Sequence, residues 1–248
     1  MSDRIDELLA TLGKPRRQRR LPPAMVGLSE MTLPSGRLFY EVHGEGPPVL
    51  LVHGWESSAR EFSSMIPEIE KAGARVIAPD LPGHGASEGE TVNARIAAEA
   101  LLALDREEGP FVALLAHSFG CPATMLALEA GLRAKALVFF APPARQADQF
   151  RQRCERTGLT EAETESALAR VKANGGSLVD IIARAPARTE PLLIIHSRDD
   201  ERTPLSGSEA IIAAWPGAKL LAVEGLGHNL ALRDRMTIAA ALRFTLGV

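Results

Sequence analysis

Short apolar runs alternate with longer amphipathic stretches along most of the chain. The runs are rich in leucine and β-branched residues, and their spacing is typical of strands that alternate with crossover helices. Uninterrupted apolar strands need helices on both faces of a sheet. We therefore predict an α/β fold with a mostly parallel, doubly wound sheet of about eight strands flanked by helices. The strands predicted in chain order cover residues 38–42, 48–52, 75–78, 111–116, 136–140, 192–196 and 219–223.

Helical periodicity marks the stretches between these runs. Phe62, Met65, Ile66 and Ile69 stand at positions i, i+3, i+4 and i+7, which places them on one buried helical face. Further helices are predicted over residues 93–108, 122–130 and 230–244.

Residues 144–189 interrupt the alternation, because they contain no apolar run long enough for a core strand. Two helix starts stand there instead. In the sequence TEAE, Thr160 and Glu163 form a capping box, and Asn174 with the following glycine supplies a stop signal. The sequence SLVD at 177–180 repeats the capping device for a second helix. We expect a small helical lid inserted in a core that comprises residues 30–143 and 190–248.

Residues 1–29 precede this core, and we expect them to form a helix followed by a basic linker. The basic run from Lys14 to Arg20 is typical of a solvated linker. The leader matches neither a Sec nor a twin-arginine signal, and no segment of the chain is apolar over the length of a membrane span. We therefore expect a cytoplasmic protein.

Composition narrows the possible partners. The 248 residues are 46% hydrophobic and 24% charged, and 28 Lys and Arg against 31 Asp and Glu give a net charge of -3. This balance provides no overall field for binding nucleic acid or an anionic membrane. Cys121 and Cys154 are too few for a disulfide framework and lack metal-binding spacing, so we expect two free thiols.

The sequence LLAHSFGCPA at 114–123 places Ser118 between a predicted strand and a predicted helix. A serine in such a strand-turn-helix setting is typical of a nucleophile elbow, whose strained turn requires small residues two positions before and after it. Ala116 and Gly120 satisfy this requirement. The alternative interpretation is a serine that only fills space at the end of a strand.

A nucleophilic serine needs a histidine as base, and the base needs a carboxylate that orients it. Asp199 and Asp200 follow one predicted strand and His228 follows the next, in the order serine, acid, histidine. His228 is the only histidine downstream of both the elbow and an acid at a strand end; its alternative role is to cap the following helix. His117 is expected to point away across the elbow. The remaining histidines are His43, His53, His84 and His196.

Four motifs thus stand in order: LLVHGW at 50–55, APDLPGHGAS at 78–87, AHSFG at 116–120, and the pair Asp200 and His228. On these motifs the chain resembles, from about residue 38 to its C-terminus, the serine members of the α/β-hydrolase fold superfamily. The resemblance implies that Asp200 is the acid, because the run HSRDDERTP at 196–204 aligns it with the acid of the family motif. Asp199 is the alternative.

The resemblance also implies the groups that bind the oxyanion. These are the backbone N–H groups of Trp55 and Phe119, and neither a metal nor an organic cofactor is needed. The loop DLPGHGAS is expected to shape the surroundings of the site without taking part in the chemistry. An aspartate in the elbow would imply the opening of haloalkanes or epoxides, so Ser118 indicates acyl transfer instead.

We therefore expect a serine hydrolase that cleaves a carboxylic ester of a small or medium soluble substrate through an acyl-enzyme. Alternatives on the same fold are a carbon-carbon bond hydrolase, a thioesterase, an amidase and a perhydrolase, which share the triad and differ in the pocket. A non-catalytic protein that binds a small ligand is the alternative from another class. The expected partner is a small-molecule substrate, with no nucleic acid and no membrane, and both a monomer and a homo-oligomer stay open.

Overall fold

The computed structural model describes residues 2–16 and 28–248. Its centre is an eight-stranded sheet in the order β1-β2-β4-β3-β5-β6-β7-β8. The pairings of β1 with β2 and of β2 with β4 are antiparallel, and all others are parallel. The predicted α/β fold with a mostly parallel sheet is confirmed. The strands are β1 Leu28–Leu33, β2 Gly36–His43, β3 Pro48–Val52, β4 Arg75–Pro79, β5 Ala113–His117, β6 Leu137–Phe140, β7 Leu192–Ser197 and β8 Lys219–Val223.

Helices cover both faces of the sheet. Alternate strand residues enter separate apolar layers: Leu50 and Leu114 pack on the side of α3, α4 and α8, whereas Leu51 and Leu115 pack on the side of α2 and α9. The central strands are therefore buried on both faces, which explains their uninterrupted apolar sequences. The helices are α1 Ser2–Thr11, α2 Ile66–Lys71, α3 Ala94–Glu108, α4 Gly120–Glu129, α5 Gln146–Arg156, α6 Glu161–Ala173, α7 Ile181–Arg184, α8 Leu205–Ala214 and α9 Arg235–Leu246.

Two predicted helix starts differ from the structure. The helix predicted over 230–244 is divided into a single 3-10 turn, Leu230–Leu232, and α9, because the Asp234 carboxylate accepts hydrogen bonds from the N–H groups of Met236 and Thr237 and so begins a new helix. In SLVD, the side chain that caps α7 is Asp180, which accepts from the N–H of Ala183, and Ser177 lies three residues outside the helix cap.

Helices α5, α6 and α7 lie between β6 and β7, and α6 begins with the predicted capping box at Thr160. The amino-terminal helix α1 packs against them, with Ile5 and Leu8 in one apolar cluster with Phe150 and Leu168. The chain then reaches the core, where the carbonyl of Gly13 accepts a 2.7 Å hydrogen bond from the N–H of Val92.

Part of the predicted basic linker, residues 17–20, lies outside the described residues. Across the ranges that are described, no helix combines the length and the apolar character needed to cross a membrane.

Candidate active site

Ser118 lies in the sharp turn between β5 and α4. Its φ of 47° is in the left-handed region, which is costly for a residue with a Cβ. The turn is held by its own backbone, since the Ser118 N–H donates to the carbonyl of Phe140 and its carbonyl accepts from the N–H of Cys121, both at 2.9 Å. A Cβ at Gly120 would lie 2.5 Å from the carbonyl oxygen of Val52, so only glycine fits there.

His228 lies between the hydroxyl of Ser118 and the carboxylate of Asp200. Its Nε2 is 3.0 Å from Ser118 Oγ, and its Nδ1 is 2.7 Å from Asp200 Oδ2. The three side chains come from the ends of β5, β7 and β8, at the carboxyl edge of the parallel strands, where clefts of this fold class form. The structure therefore brings together the three side chains that the sequence analysis selected.

The Asp200 carboxylate is buried and fully hydrogen-bonded. Burial alone would raise its pKa, but hydrogen bonds from His196, His228 and Thr203 lower the pKa well below its usual range. The Oδ1 atom accepts from the backbone N–H groups of Arg202 and Thr203 at 2.8 and 3.0 Å. Asp200 is therefore ionised across the ordinary pH range.

Asp199, the alternative acid, lies elsewhere. Its carboxylate accepts from the hydroxyl of Ser197 and from the N–H groups of Gly225 and Gly227, at 3.0 and 3.3 Å for the two amides. These bonds hold the loop that follows β8 and carries His228. Asp199 therefore braces that loop, and Asp200 is the carboxylate in contact with the His228 ring.

Trp55 and Phe119 are neighbours at the cavity. Their rings meet edge to face with centroids 5.3 Å apart, and both residues line the cavity that contains Ser118. Among the hydrogen bonds of residues 2–16 and 28–248, neither of their backbone N–H groups has an acceptor. Gly54 precedes Trp55 at a position where a Cβ would lie 2.9 Å from Nδ1 of His117, so the loop approaches the elbow only with glycine there.

Glu61 and His117, which no sequence motif singles out, are in buried contact beside the elbow. Glu61 Oε1 is 2.9 Å from Nδ1 of His117, and these side chains are 11% and 2% exposed. Glu61 Oε2 accepts from the N–H of Gly54 at 2.9 Å, and Nε2 of His117 lies 3.0 Å from the carbonyl of His228. The pair thus links the Gly54 loop, the elbow and the His228 loop.

The expectation that His117 points away across the elbow is wrong. Its ring centroid is 5.0 Å from that of His228. Because Ser118 has a left-handed backbone, the alternation of side chains along β5 does not continue through the turn. Burial alone would raise the pKa of Glu61, but the charge of and hydrogen bond from His117 lower it to about 2.

His196 is a second imidazole on the Asp200 carboxylate. Its Nε2 is 3.2 Å from Asp200 Oδ2 and 2.8 Å from the carbonyl of Thr203, and its Nδ1 is 2.7 Å from the hydroxyl of Ser208. The ring is fully buried. The strand position of His196 is visible in the sequence, whereas its contact with Asp200 depends on the turn that follows β7.

His53 and Asp80 support the neighbouring loops. His53 Nε2 accepts from the N–H of Leu81 at 2.9 Å, and its Nδ1 donates to the carbonyl of Gly54 at 2.7 Å. Burial lowers the pKa of His53, so the ring is neutral and joins the ends of β3 and β4. The Asp80 carboxylate accepts from the backbone N–H groups of Ala59 and Ala86.

A cavity of about 800 Å³ opens above Ser118 and His228. One wall is formed by α5, and another by Leu9, Leu12 and Gly13 at the end of α1. This volume suits an ordinary small-molecule ligand.

The architecture agrees with known proteins. The model of the alpha/beta hydrolase family matches residues 49–241. A hydrolase from Pseudomonas aeruginosa PA01 has a similar structure, with a TM-score of 0.72 and 22% identity, over 90% of this chain and 100% of its own. A thermophilic esterase from Thermogutta terrifontis gives a TM-score of 0.68 and 19% identity, over 87% of this chain and 96% of its own.

Curated relatives match over short segments. A haloalkane dehalogenase from Psychrobacter cryohalolentis is 54% identical over 48 residues, which are 18% of this chain and 16% of the dehalogenase. For three such relatives, the chain covers between 15% and 23% of their length. The family model, in contrast, extends from β3 into α9 and so spans well over half of the chain. The protein belongs to the alpha/beta hydrolase family.

Proposed function

We propose that the protein is a serine hydrolase that cleaves carboxylic esters through an acyl-enzyme. The observation that carries the proposal is the hydrogen-bonded series from Asp200 through His228 to Ser118, with distances of 2.7 and 3.0 Å. An ionised carboxylate at Nδ1 favours the tautomer whose proton is on Nδ1, which leaves Nε2 free to accept the serine proton.

In the first half of the reaction, Ser118 Oγ attacks the ester carbonyl while His228 Nε2 takes its proton. The carbonyl oxygen becomes an oxyanion, and the N–H groups of Trp55 and Phe119 are the donors proposed for it. The intermediate collapses as the bond to the alcohol oxygen breaks, and His228 returns the proton to that leaving oxygen. The products are the free alcohol and an ester of Ser118.

In the second half, a water molecule takes the place of the alcohol. His228 removes a proton from the water as it attacks the acyl carbonyl, and a second oxyanion forms in the same donor pair. When this intermediate collapses, the proton passes to Ser118 Oγ and the carboxylic acid leaves. Asp200 stabilises the imidazolium form of His228 in both halves and stays ionised throughout.

The residue at the elbow supports ester cleavage over the reaction of the dehalogenase relative. Opening of a haloalkane by this fold uses a carboxylate nucleophile, whereas Ser118 provides a hydroxyl with a base beside it. Burial raises the pKa of Cys121 well above its ordinary value, so this neighbouring thiol is not a competing nucleophile.

We further propose that helices α5, α6 and α7 act as a lid over the cavity. They stand between β6 and β7, and α5 lines the space above Ser118. In this proposal they exclude bulk water from the acyl-enzyme and select the substrate, which is a small molecule in the cytoplasm.

Labelling with a fluorophosphonate probe tests the nucleophile and its base. The wild type, Ser118→Ala and His228→Ala are incubated with the probe, and intact mass with peptide mapping reads the stoichiometry and the site. We expect one label on Ser118 of the wild type and none on either variant. Label on another residue, or equal labelling of His228→Ala, would refute the roles proposed.

Hydrolysis of a short 4-nitrophenyl ester provides the second readout. We expect turnover by the wild type and a loss of about 10⁴-fold or more in Ser118→Ala. If Ser118 is labelled but esters are not cleaved, a thioester and a diketone substrate decide between the thioesterase and the carbon-carbon bond hydrolase. If the folded protein binds small ligands but is not labelled by the probe and hydrolyses no substrate, it is a non-catalytic binding protein.

A further inference from the structure

The wall that α5 presents to the cavity is polar except for Phe150. Four of its side chains stand at i, i+3, i+7 and i+10 and therefore lie on one helical face. That face lines the same cavity as Ser118 and His228. Next to this face, Phe150 and Cys154 pack into the apolar cluster with α1 and α6. Arg151, farther round the helix, pairs with Glu165. The four residues of this face are Gln146, Gln149, Arg153 and Arg156, and Phe150 and Gln152 of α5 line the cavity beside them.

Arg153 and Arg156 differ in their partners from the other arginines of residues 144–189. Arg153 donates from Nη2 to the hydroxyl of Thr11 at 2.9 Å, and neither Arg153 nor Arg156 has a carboxylate partner in the described part of the chain. The remaining arginines of the segment all form ion pairs: Arg145 with Asp180, Arg151 with Glu165, Arg170 with Asp6, Arg184 with Glu129 and Arg188 with Glu190.

The acidic residues of the cavity do not neutralise these arginines. Glu61 is paired with His117 and bonded to the N–H of Gly54. Glu56 accepts from the backbone N–H of Arg16 and contacts its guanidinium. The α5 wall therefore keeps its positive charge, although the whole chain has a net charge of -3.

We propose that this wall binds a carboxylate of the substrate, so that the enzyme acts on esters that carry a carboxylate remote from the bond cleaved. The inference rests on the function proposed above. Guanidinium groups bind carboxylates through paired N–H donors, and the Thr11 hydroxyl holds Arg153 in place for this contact. The glutamine amides of the same face add neutral donors beside the charges.

Two matched pairs of esters test the inference on either side of the scissile bond. On the acyl side, mono-4-nitrophenyl adipate is compared with methyl 4-nitrophenyl adipate, in which a methyl ester replaces the carboxylate. On the alcohol side, 4-carboxyphenyl valerate is compared with 4-(methoxycarbonyl)phenyl valerate, in which a methyl ester replaces the carboxylate. We expect kcat/KM to be about tenfold higher for the anionic member of at least one pair. A ratio near one in both pairs would overturn the inference.

Variants then locate the preference on the wall. Arg153→Gln and Arg156→Gln should each reduce the anionic-to-neutral ratio of kcat/KM severalfold, and together they should bring it close to one. Arg151→Gln is the matched control, because Arg151 is on the same helix but pairs outward with Glu165. A preference that survives the double variant, or that falls equally in Arg151→Gln, would contradict the assignment.

The two proposals can fail separately. If the neutral esters are cleaved in a Ser118-dependent way but the anionic esters are not preferred, the carboxylate-binding inference is refuted and the serine hydrolase proposal stands. If neither ester of a pair is cleaved and Ser118 is not labelled, the proposed function itself is wrong. Raising the salt concentration should lower the ratio, since the guanidinium groups are partly exposed to solvent.

Discussion

Ser118 is held in an unfavourable backbone conformation by groups that have other roles in the fold. Its N–H is bonded to β6 and its carbonyl to the first turn of α4, so the strand and the helix together fix the turn. A non-glycine residue in the left-handed region costs on the order of 1 kcal/mol. The rest of the fold offsets that cost, and the hydroxyl is thereby presented at the tip of the turn.

Replacing Asp200 or Asp199 tests the two neighbouring carboxylates separately. We expect Asp200→Asn to lower kcat about 10⁴-fold, because an amide no longer fixes the tautomer of His228. Asp199→Asn should lower kcat only a few fold, since it weakens bonds to the loop and does not touch the imidazole. Steady-state kinetics on one ester measures both variants. Equal losses of kcat in the two variants would contradict the role of Asp200 as the carboxylate that orients His228.

Glu61 is predicted to be a positioning residue. Glu61→Gln removes the charge that faces His117, and a displacement of the His228 loop by a fraction of an ångström is enough to slow proton transfer. We expect kcat to fall about 10- to 100-fold, KM to change little, and the rate of fluorophosphonate labelling to fall with kcat. Glu68→Gln, on the exposed side of α2, is the control. A rise in KM with unchanged kcat would exclude the positioning role.

The strands that could be predicted are those that contain an apolar run, whether they are buried like β3 or partly exposed at an edge of the sheet like β8. Strands β3 and β8 have the predicted bounds. Strand β1 was missed, because its sequence LSEMTL is partly exposed at the edge of the sheet and contains no apolar run. The division before α9 was missed because apolar periodicity continues across Asp234, while the capping hydrogen bonds that break it are local.

Asp234 should therefore contribute to the stability of α9. We expect Asp234→Ala to lower the free energy of unfolding by about 1 kcal/mol, because the first N–H groups of the helix lose their acceptor. Asp234→Asn, which keeps a side-chain oxygen, should lose much less. Urea denaturation measures both. If the two variants are equally destabilised, the capping bonds are not the source of the effect.

Across the whole molecule, motif order located Ser118, Asp200 and His228, whereas their supporting groups could not be found this way. The order of strands in a parallel sheet determines which strand ends meet, so residues at those ends can be selected from the sequence. Glu61 belongs to a short 3-10 turn between β3 and α2, and its contact with His117 depends on how three loops pack. One signal was present in the sequence, namely the histidine directly before Ser118.

Buried ionisable groups also make the fold sensitive to acid. Burial lowers the pKa of His84 from 6.5 to about 4, and the contact with His117 lowers that of Glu61 from 4.5 to about 2. In both cases the unfolded chain binds the proton more readily, so stability present at neutral pH is lost as the pH falls. The part of the free energy of unfolding that depends on His84 is lost between pH 6.5 and 4. The part that depends on Glu61 is lost between pH 4.5 and 2.

Urea unfolding over a pH range from about 7.5 to 3 measures this dependence. The free energy of unfolding should decrease toward acid in the wild type. His84→Gln should flatten the upper part of the curve and Glu61→Gln the lower part. A wild-type curve that stays level down to pH 4 would contradict the assignment to His84.

The position of α1 bears on how the protein is produced for such experiments. Leu9, Leu12 and Gly13 form part of the cavity, and Gly13 is bonded to Val92 of the core. An affinity tag fused ahead of α1 is thus attached to a wall of the cavity and can change substrate preference by itself. Val248 is 62% exposed and follows the last helix, and its side chain does not line the cavity. Purification handles therefore belong at the carboxyl end, and any amino-terminal fusion needs to be cleaved before kinetics are compared.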